Sequence, residues 1–303
     1  MQGLNFKIFK IILFLIFLLV SDRFIGIILE KLYNKSNDIN ISKIRYTLYD
    51  THEDILIFGS SRAQHHYIPD TISKITGHNS YNCGLGGQGI AFSFIQISET
   101  LTRYKPLRII FDVSPNILLD KNSDQKLNIL TPYYHDNALI QNILNSSSSF
   151  EKLKCTSFIY PYNGLLFDLL TGLVYTPHVS VKGYIPIYGL IDTTTIANED
   201  PGILQDIPSD QMKYLQKIIN ICQSYKAELW ILVSPIYKET KEDTKIIQDL
   251  RDFLFQKHVH LLDFSKKSDF SNCMLFKDNL HLNYYGAIKY SKIVADSIAC
   301  SLK

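Results

Sequence analysis

The sequence lacks the closely spaced cysteine pairs that indicate a disulfide framework or a zinc site. Its five cysteines are dispersed over 303 residues, and none forms a Cys-x-x-Cys pair. We therefore expect mostly buried free thiols. The chain also lacks a basic patch or stripe, and its formal net charge is only +2. This absence argues against binding to nucleic acid.

No uninterrupted apolar run is long enough to cross a membrane by itself. The longest, residues 11–20, is preceded by two lysines and separated by Ser21-Asp22-Arg23 from a second apolar run at 24–29. The first run fits a signal peptide, but no A-x-A-like cleavage site follows it. The whole stretch can span a bilayer if the charged pair reaches the outer interface. We expect an uncleaved signal anchor at 1–30, with the rest of the chain outside the cytoplasm.

The remainder of the chain divides into a short polar segment and one large domain. Residues 31–50 are polar and lack strong periodicity, which is typical of a stalk, and 51–303 are long enough for one substantial core. Apolar runs predict five strands, at about 54–59, 79–83, 108–113, 228–234 and 259–263. Apolar residues at helical spacing separate them, around 90–104, 215–222, 246–254 and 285–299. This alternation predicts an α/β domain with a doubly wound parallel sheet.

About ninety residues, 117–208, separate the third predicted strand from the fourth, and they are rich in Asn, Ser, Tyr and Pro. Within them, 179–187 is typical of a hairpin that turns at Lys182-Gly183. A connection of this length inside a compact domain usually has a function. We interpret it as an insertion over the substrate end of the sheet.

The first predicted strand runs directly into Gly59-Ser60-Ser61. Ligands of open α/β sheets bind beyond the carboxyl ends of the strands, so Ser61 occupies a suitable place for a nucleophile. Serines at this place also cap helices, and Gly-Ser-Ser alone is a weak signal.

Asp278 and His281 stand three residues apart, just before the last predicted helix. A serine hydroxyl becomes nucleophilic when a base removes its proton, and a carboxylate on the other ring nitrogen fixes the tautomer of that base. An exposed histidine near a helix-starting aspartate would give the same pattern. The pair can act on Ser61 only if its loop reaches that serine.

Two further segments follow the second and third predicted strands. Gly87 offers a backbone N–H and Asn116 a side-chain amide, the donors that an oxyanion hole needs. Gly84–Gly89 also matches the G-x-G-x-x-G pattern of nucleotide-binding turns, but it does not follow the first strand and lacks an acidic ribose ligand at the expected distance. Asn116 after Pro115 is also typical of a turn.

Two other features near Ser61 leave alternatives open. His65-His66 could suggest a metal, but adjacent histidines project in different directions and have no partners at ligand spacing. We predict neither a metal nor a cofactor. Arg62 either binds an anionic group of the substrate or pairs with a carboxylate.

In their order along the chain, Ser61, Gly87, Asn116 and Asp278-x-x-His281 resemble the four sequence blocks of the SGNH (GDSL-like) hydrolases. The resemblance implies a flavodoxin-like three-layer α/β/α sandwich with a parallel five-stranded sheet. It also implies Ser61 as nucleophile, His281 as base, and Asp278 as the group that orients His281. The oxyanion hole would consist of the Ser61 and Gly87 N–H groups and the Asn116 side chain. The first block here reads Gly-Ser-Ser-Arg rather than Gly-Asp-Ser-Leu, and the third reads Ser-Pro-Asn rather than Gly-x-Asn-Asp.

With its N-terminal anchor, the chain resembles bacterial membrane-tethered members of this family that add or remove acyl groups on cell-surface glycans. That implies a serine esterase or O-acyltransferase, most simply for acetyl esters, acting on a carbohydrate or cell-envelope polymer. It would stand in the cytoplasmic membrane with its catalytic domain in the periplasm. The alternatives are a catalytically inactive SGNH-like protein that binds glycans or assists assembly and, less favoured, a nucleotide-binding α/β protein.

Overall fold

A computed structural model describes residues 2–121, 125–148, 150–172, 180–196, 204–266 and 268–302. Its described residues group into two compact units. One comprises those of 1–42 and 127–177, and the other those of 43–126 and 178–303. The domain division predicted from the sequence, at 1–30, 31–50 and 51–303, stays a prediction.

The first unit begins with helix α1 (Gln2–Lys35), which is long and apolar enough to cross a membrane by length and composition. The other helices of this unit are short. They are α7 (Ala138–Ser147), α8 (Glu151–Lys154) and α9 (Leu166–Gly172), with 3-10 helices at Gln125–Tyr133, which begins in the second unit, and at Tyr160–Leu165. We refer to 127–172 as the cap.

The second unit is built on a parallel sheet of five strands in the order β2-β1-β3-β4-β5. The strands are β1 (Ile55–Phe58), β2 (Ser80–Asn82), β3 (Arg108–Asp112), β4 (Leu229–Val233) and β5 (His260–Asp263). Each lies inside a strand predicted from the sequence, and the predicted parallel five-stranded sheet is confirmed. Because β2 and β3 flank β1 on opposite sides, the chain reverses its winding at β1, where such sheets form a crevice.

Helices cover both faces of this sheet. The principal helices are α3 (Ser61–His66), α4 (Pro69–Thr76), α5 (Ile90–Arg103), α11 (Ser209–Ser224), α12 (Lys241–Gln256) and α13 (Tyr284–Ser301). Three shorter ones are α2 (Ile39–Arg45), which begins in the first unit, α6 (Pro115–Leu119) and α10 (Thr193–Ile196), and a π-helical turn covers Tyr46–Asp50. Thr240 and Asp243 stand at capping-box spacing in the sequence, which predicts a helix start, and the capping box forms at the start of α12, where the two residues exchange hydrogen bonds.

The hydrophobic core lies on both faces of the sheet, because successive strand residues point to opposite faces. On one face, Ile55, Ile57 and Leu232 pack with side chains of α4 and α13 in a single buried cluster. The alternate residues, such as Leu56 and Phe58, are also fully buried. Burial on both faces explains why the strand segments read as continuous apolar runs rather than as alternating ones.

Two segments differ in detail from the sequence-based expectations. Of the hairpin expected at 179–187, Val179 lies outside the described residues. The turn at Lys182-Gly183 forms with both residues at positive φ, but the flanking residues make a single bridge, Val181 with Tyr184, and no strands. Residues 39–50, expected to belong to a polar stalk, are helical, and Ile44 and Leu48 are fully buried there.

The turn at Lys182-Gly183 is packed tightly against the edge strand β2. The Asn82 N–H donates to the Lys182 carbonyl at 3.0 Å. A Cβ added at Gly183 would lie 2.0 Å from the Asn82 carbonyl oxygen, and Gly183 has φ +82°. The buried Lys43 ammonium also donates to the Gly183 carbonyl, at 2.6 Å. Only glycine fits this contact without displacing backbone.

We expect Gly183→Ala to destabilise the sheet unit by more than the cost of positive φ alone. Gly77→Ala is the matched control, because Gly77 has φ +76° but no atom within 4 Å of an added Cβ. Left-handed φ should cost roughly 1–2 kcal/mol in both variants, and overpacking should cost Gly183→Ala a further 1–3 kcal/mol or so. Urea denaturation of the detergent-solubilised chain measures the unfolding free energy of both variants. Equal losses of unfolding free energy would contradict the tight contact.

Candidate active site

Ser61 stands at the N-terminus of α3, immediately beyond the carboxyl end of β1. Gly59, with φ +139°, allows this sharp exit from the strand. A Cβ added at Gly59 would lie 2.7 Å from the Asp112 carbonyl oxygen and 2.9 Å from the Ala63 Cβ. Glycine at this position thus lets the strand end, the neighbouring strand and the helix approach closely. Ser61 is thereby held in the crevice between β1 and β3.

The structure brings Ser61, His281 and Asp278 into one line of hydrogen bonds. Ser61 Oγ lies 2.8 Å from His281 Nε2, and His281 Nδ1 lies 2.9 Å from Asp278 Oδ2. Ser60, the other serine of the first motif, precedes the helix as its N-cap residue and makes no side-chain capping bond. Of the two serines, Ser61 is therefore the one that faces the histidine.

Asp278 is fixed by its own loop. Its Oδ1 accepts from the N–H groups of Leu280 and His281, at 2.9 and 2.8 Å. Partial burial would raise the pKa of the Asp278 carboxyl, but the hydrogen bonds and charge of His281, together with these two N–H groups, hold that pKa below its ordinary value. Asp278 is thus kept ionised, and it orients Nδ1 of His281 as a donor. Nε2 is then the nitrogen available to accept the Ser61 proton.

Gly87 and Asn116 line the same small cavity as Ser61 and His281. The cavity has a volume of about 120 Å³. Gly87 has φ +77° and nothing within 4 Å of an added Cβ, and Asn116 lies exposed at the start of α6. The predicted oxyanion donors therefore share a cavity with the predicted nucleophile. Asp120 and Lys126 add a charged pair to its lining, with 2.7 Å between Nζ and Oδ2.

The glycine-rich segment 84–89 has most of its N–H groups already engaged. Gly84 donates to Asn82 Oδ1, Leu85 to the Gly59 carbonyl, Gly86 to Gln64 Oε1 and Gln88 to the Leu85 carbonyl. A phosphate-binding turn needs several of these N–H groups free. Among the described residues, none accepts from the Gly87 N–H. This pattern fits a single oxyanion donor and disfavours the nucleotide-binding alternative.

Gln64 is a residue of the site that the sequence did not reveal. It is buried, and its Oε1 accepts from the Gly86 N–H at 2.9 Å. A Cβ added at Gly86 would lie only 2.7 Å from that oxygen. Gln64 therefore fixes the backbone immediately before Gly87. Its only sequence signal is its place three residues after Ser61, which is too weak to distinguish it from a packing residue.

His66 is a second residue whose role the sequence did not show. Its Nε2 accepts from the Leu282 N–H at 2.9 Å, so its proton is on Nδ1, which lies 3.0 Å from Ser234 Oγ. Complete burial, reinforced by the nearby positive charge of Arg62, keeps the pKa of His66 well below its ordinary value. A neutral His66 thus holds the residue next to His281 in place.

Arg62 is buried, with 3% of its surface exposed, and it faces the end of β4. Its Nε donates to Ser234 Oγ at 2.9 Å, and one terminal nitrogen donates to the Ser234 and Pro235 carbonyls. The other terminal nitrogen has no partner among the described residues. Arg62 also lines the cavity. Its principal contacts are therefore with the protein, and the predicted binding of an anionic substrate group stays a prediction.

The charge of Arg62 is balanced by a carboxyl at the end of β3. Burial raises the pKa of Asp112, and this rise is opposed by Arg62 and by hydrogen bonds from Tyr67 and Ser234. Tyr67 also contacts the hydroxyl of Tyr290 on α13, at 3.1 Å. A buried polar network therefore underlies the crevice and links β3, β4, α3 and α13.

His65 lies beside His281 without sharing its hydrogen bonds. Its Nδ1 is 2.7 Å from the Ile185 carbonyl oxygen, and the two imidazole rings meet edge to face at 6.1 Å. Burial lowers the pKa of His65 to about 4. Within the described ranges, no group of three or more His, Cys, Asp or Glu side chains is arranged to hold a metal ion.

Comparison with known proteins gives distant likenesses. A protein-family model matches residues 197–303, about a third of the chain. This part includes β4, β5 and the Asp278–His281 loop. A search of curated proteins finds no match.

Three solved structures are similar to this chain. A protein from Desulfitobacterium hafniense, described as lipolytic and of the G-D-S-L family, is 10% identical over 80% of this chain and 97% of its own, with a TM-score of 0.43. One from Bacteroides fragilis, described as an acylhydrolase, is 12% identical over 84% and 90%, with a TM-score of 0.41. One from Streptococcus pneumonia, described as a platelet activating factor, is 11% identical over 90% and 97%, with a TM-score of 0.45. At these identities and scores, the likeness assigns neither family nor activity.

We expect the stability of the sheet unit to fall as pH drops below about 6.5, the ordinary pKa of histidine. His65 and His66 have lowered pKa values in the folded chain, so the unfolded state binds more protons in this range. Their stabilising contribution is complete above about pH 6.5, and for His65 it is lost progressively towards pH 4. Denaturant titrations from pH 8 to pH 4 measure the slope.

His65→Gln should reduce the loss of unfolding free energy between pH 8 and pH 4 by roughly 3 kcal/mol. His52→Gln is the control, because His52 is exposed. An identical pH dependence in wild type and His65→Gln would show that His65 is not held neutral by burial.

We expect Gln64→Ala to slow phosphonylation of Ser61 by a fluorophosphonate probe about tenfold, because the Gly86 N–H loses its acceptor and Gly87 is no longer fixed. Gln96→Ala is the matched control. Gln96 is also buried, and it donates to the Cys83 carbonyl at 3.2 Å just before the same loop. Labelling rates are measured well below the unfolding temperature. Equal slowing in both variants would indicate general destabilisation rather than positioning of the oxyanion donor.

Proposed function

We propose that this protein is a serine esterase or O-acyltransferase that works through an acyl-serine intermediate. The observation that carries the proposal is the unbroken hydrogen-bond line from Asp278 through His281 to Ser61. Its serine end opens on the cavity that Gly87 and Asn116 also line. Nucleophile, base and orienting carboxylate in this arrangement are the parts that ester chemistry requires.

In the first half of the reaction, the Ser61 oxygen attacks the ester carbonyl carbon while His281 Nε2 takes the serine proton. The carbonyl oxygen becomes an oxyanion, for which the Ser61 and Gly87 N–H groups and the Asn116 amide are the proposed donors. Each such donor is worth about 3–4 kcal/mol in the transition state. The carbon–oxygen bond to the leaving alcohol breaks, and His281 returns the proton to that alcohol.

In the second half, water or a sugar hydroxyl attacks the carbonyl carbon of the acyl-serine while His281 takes its proton. The bond between this carbon and Ser61 Oγ then breaks, and His281 returns the proton to Ser61. Water gives hydrolysis and a sugar hydroxyl gives transfer, so the two activities differ only in the acceptor. Asp278 keeps the protonated imidazole oriented in both halves.

The size of the cavity supports a short acyl group. A volume of about 120 Å³ corresponds to about four water molecules. An acetyl group fits this space. We propose acetyl esters of a carbohydrate or cell-envelope polymer as the substrate class.

We also propose that the protein acts at a membrane surface. Helix α1 is long and apolar enough to span a bilayer, and two lysines near its start favour an N-terminus on the cytoplasmic side. In a bacterial cell, this orientation puts the sheet unit in the periplasm, where acylated envelope polymers are found.

The full chain in detergent should react with a fluorophosphonate probe and hydrolyse 4-nitrophenyl acetate. Ser61→Ala should abolish both, and Asp278→Asn should slow hydrolysis by roughly 10²–10⁴-fold, because the histidine loses its orienting charge. In-gel fluorescence and release of 4-nitrophenol measure the two reactions.

Ser60→Ala is the matched control, since Ser60 is adjacent and lines the same cavity but does not contact His281. It should retain labelling. A wild-type chain that resists the probe, or a Ser61→Ala variant that labels equally well, would favour the alternative of an inactive glycan-binding protein.

A further inference from the structure

The charged pair in the middle of α1 is bound by the cap. Asp22 accepts from the Ser157 hydroxyl at 2.5 Å and from the Phe158 N–H at 2.9 Å. Arg23 donates to the Thr156 carbonyl at 2.9 Å, and its guanidinium lies 3.9 Å from the centre of the Phe158 ring. The two charges that interrupt the apolar sequence are therefore satisfied inside this unit.

The cap also approaches α1 very closely just beyond this pair. A Cβ added at Gly26 would lie 2.3 Å from the Phe158 Cβ. Glycine on the helix thus admits the cap backbone to direct contact, as small residues do where chains pack in membranes.

The apolar surface of α1 continues past the charged pair. Phe24, Ile25, Ile27 and Ile28 are 42–65% exposed. From Lys10 to Asp22 the helix rises only about 18 Å, whereas a bilayer core is about 30 Å thick. Residues 11–29, bounded by Lys10 and Glu30, give about 28 Å. With this span in the membrane, Asp22 and the cap segment bound to it lie in the outer half of the bilayer.

The cap has exposed apolar side chains before and after that segment in the sequence, and we call them the apolar patch. Its members are Phe150, Leu153, Leu166, Phe167 and Leu170, each 39–76% exposed. In α9, Leu166 and Leu170 are separated by one helical turn, so they share a face. An apolar patch of this kind on a soluble surface needs a partner.

The backbone around the patch is suited to a low-dielectric environment. Cys155, Thr156 and Ser157 donate to carbonyls three or four residues earlier, at 2.9–3.1 Å. The Tyr160 hydroxyl donates to Glu151 at 3.0 Å and so ties the 3-10 helix to α8. The local backbone therefore makes its hydrogen bonds internally, which lipid contact requires.

Two cations accompany the patch. Lys152 and Lys154 alternate with Leu153 in α8, and Lys154 is 45% exposed although paired with Glu151 at 2.8 Å. Lysines beside exposed phenylalanine and leucine are typical of elements that lie in the headgroup region of a membrane.

We propose that the cap is a membrane-embedded element: residues 150–170 insert their apolar patch into the outer leaflet of the bilayer that α1 is proposed to span. The partner is the lipid itself, because the patch continues the lipid-facing surface of α1 through the contacts of Asp22 and Arg23. The cap stabilises the span by giving this charged pair hydrogen-bond partners within the unit. The proposal rests on the proposed membrane span of α1 and does not depend on the activity of Ser61.

The test uses the full chain in lipid vesicles with one tryptophan added at a time. The single native Trp230 is only 6% exposed, and its wild-type signal is subtracted. Phe167→Trp and Phe150→Trp should be quenched by brominated lipids at least about twofold more than Phe255→Trp, and protected from aqueous acrylamide. Phe255 is the exposed control in the sheet unit, with 81% of its surface accessible. Phe14→Trp, in α1, is the membrane reference.

Circular dichroism melting establishes that each variant is folded as the wild type is, and the two cap positions test the patch independently. Acrylamide quenching of both cap tryptophans at the level of Phe255→Trp would overturn the proposal. Protection of both cap tryptophans from acrylamide and from brominated lipids would also overturn it. A second copy of the chain or another protein would then cover the patch.

Discussion

The candidate site depends on the hydrogen bonds of one short helix, α3. Six residues are too few for a stable helix in water, so contacts with the rest of the unit must hold it. Its side chains bind four different parts of the chain. Ser61 meets His281, Arg62 meets Ser234, Gln64 meets Gly86 and His66 meets Leu282. Because three of these partners are loops beyond strand ends or next to the base, a shift of α3 would disturb nucleophile, oxyanion donor and base together.

Of the imidazoles of His65, His66 and His281, only that of His281 is placed to transfer protons in the proposed reaction. Burial lowers the pKa of both His65 and His66, so neither competes for the charge that forms on His281 during the proposed reaction. The lowered pKa of Asp278 keeps a negative charge beside Nδ1 of His281. The buried Arg62 also opposes the rise that burial causes in the pKa of Asp112.

Local patterns were sufficient to predict the sheet and the positions of the principal site residues. Continuous apolar runs predicted every strand, and Thr240 with Asp243 predicted the start of α12. Lys182-Gly183 predicted a turn because positive φ is a local preference. Hairpin strands did not follow, since strand pairing depends on hydrogen-bond partners outside the turn. Burial of Ile44 and Leu48 was missed for a different reason: with Ile41 they stand at helical spacing, but this short apolar pattern lies within a mostly polar segment.

Pairs distant in sequence account for what could not be predicted. Gln64 and Gly86 are 22 residues apart, and His66 and Leu282 are 216 apart. No spacing rule links such positions, and each residue alone has an ordinary structural explanation. The same applies to Asp22 and Arg23, whose partners lie more than 130 residues later in the cap.

The hydrogen bond between Ser61 and His281 joins residues 220 positions apart. During synthesis β1 and α3 leave the ribosome early, while His281 belongs to the last few dozen residues. Closing so long a loop is entropically costly and comes late in folding. A chain that is still being synthesised therefore carries Ser61 without the histidine proposed as its base. Under the proposed mechanism, ribosome stalling or truncation near the C-terminus would yield a protein without reactive serine, and acyl transfer would be confined to molecules whose synthesis is complete.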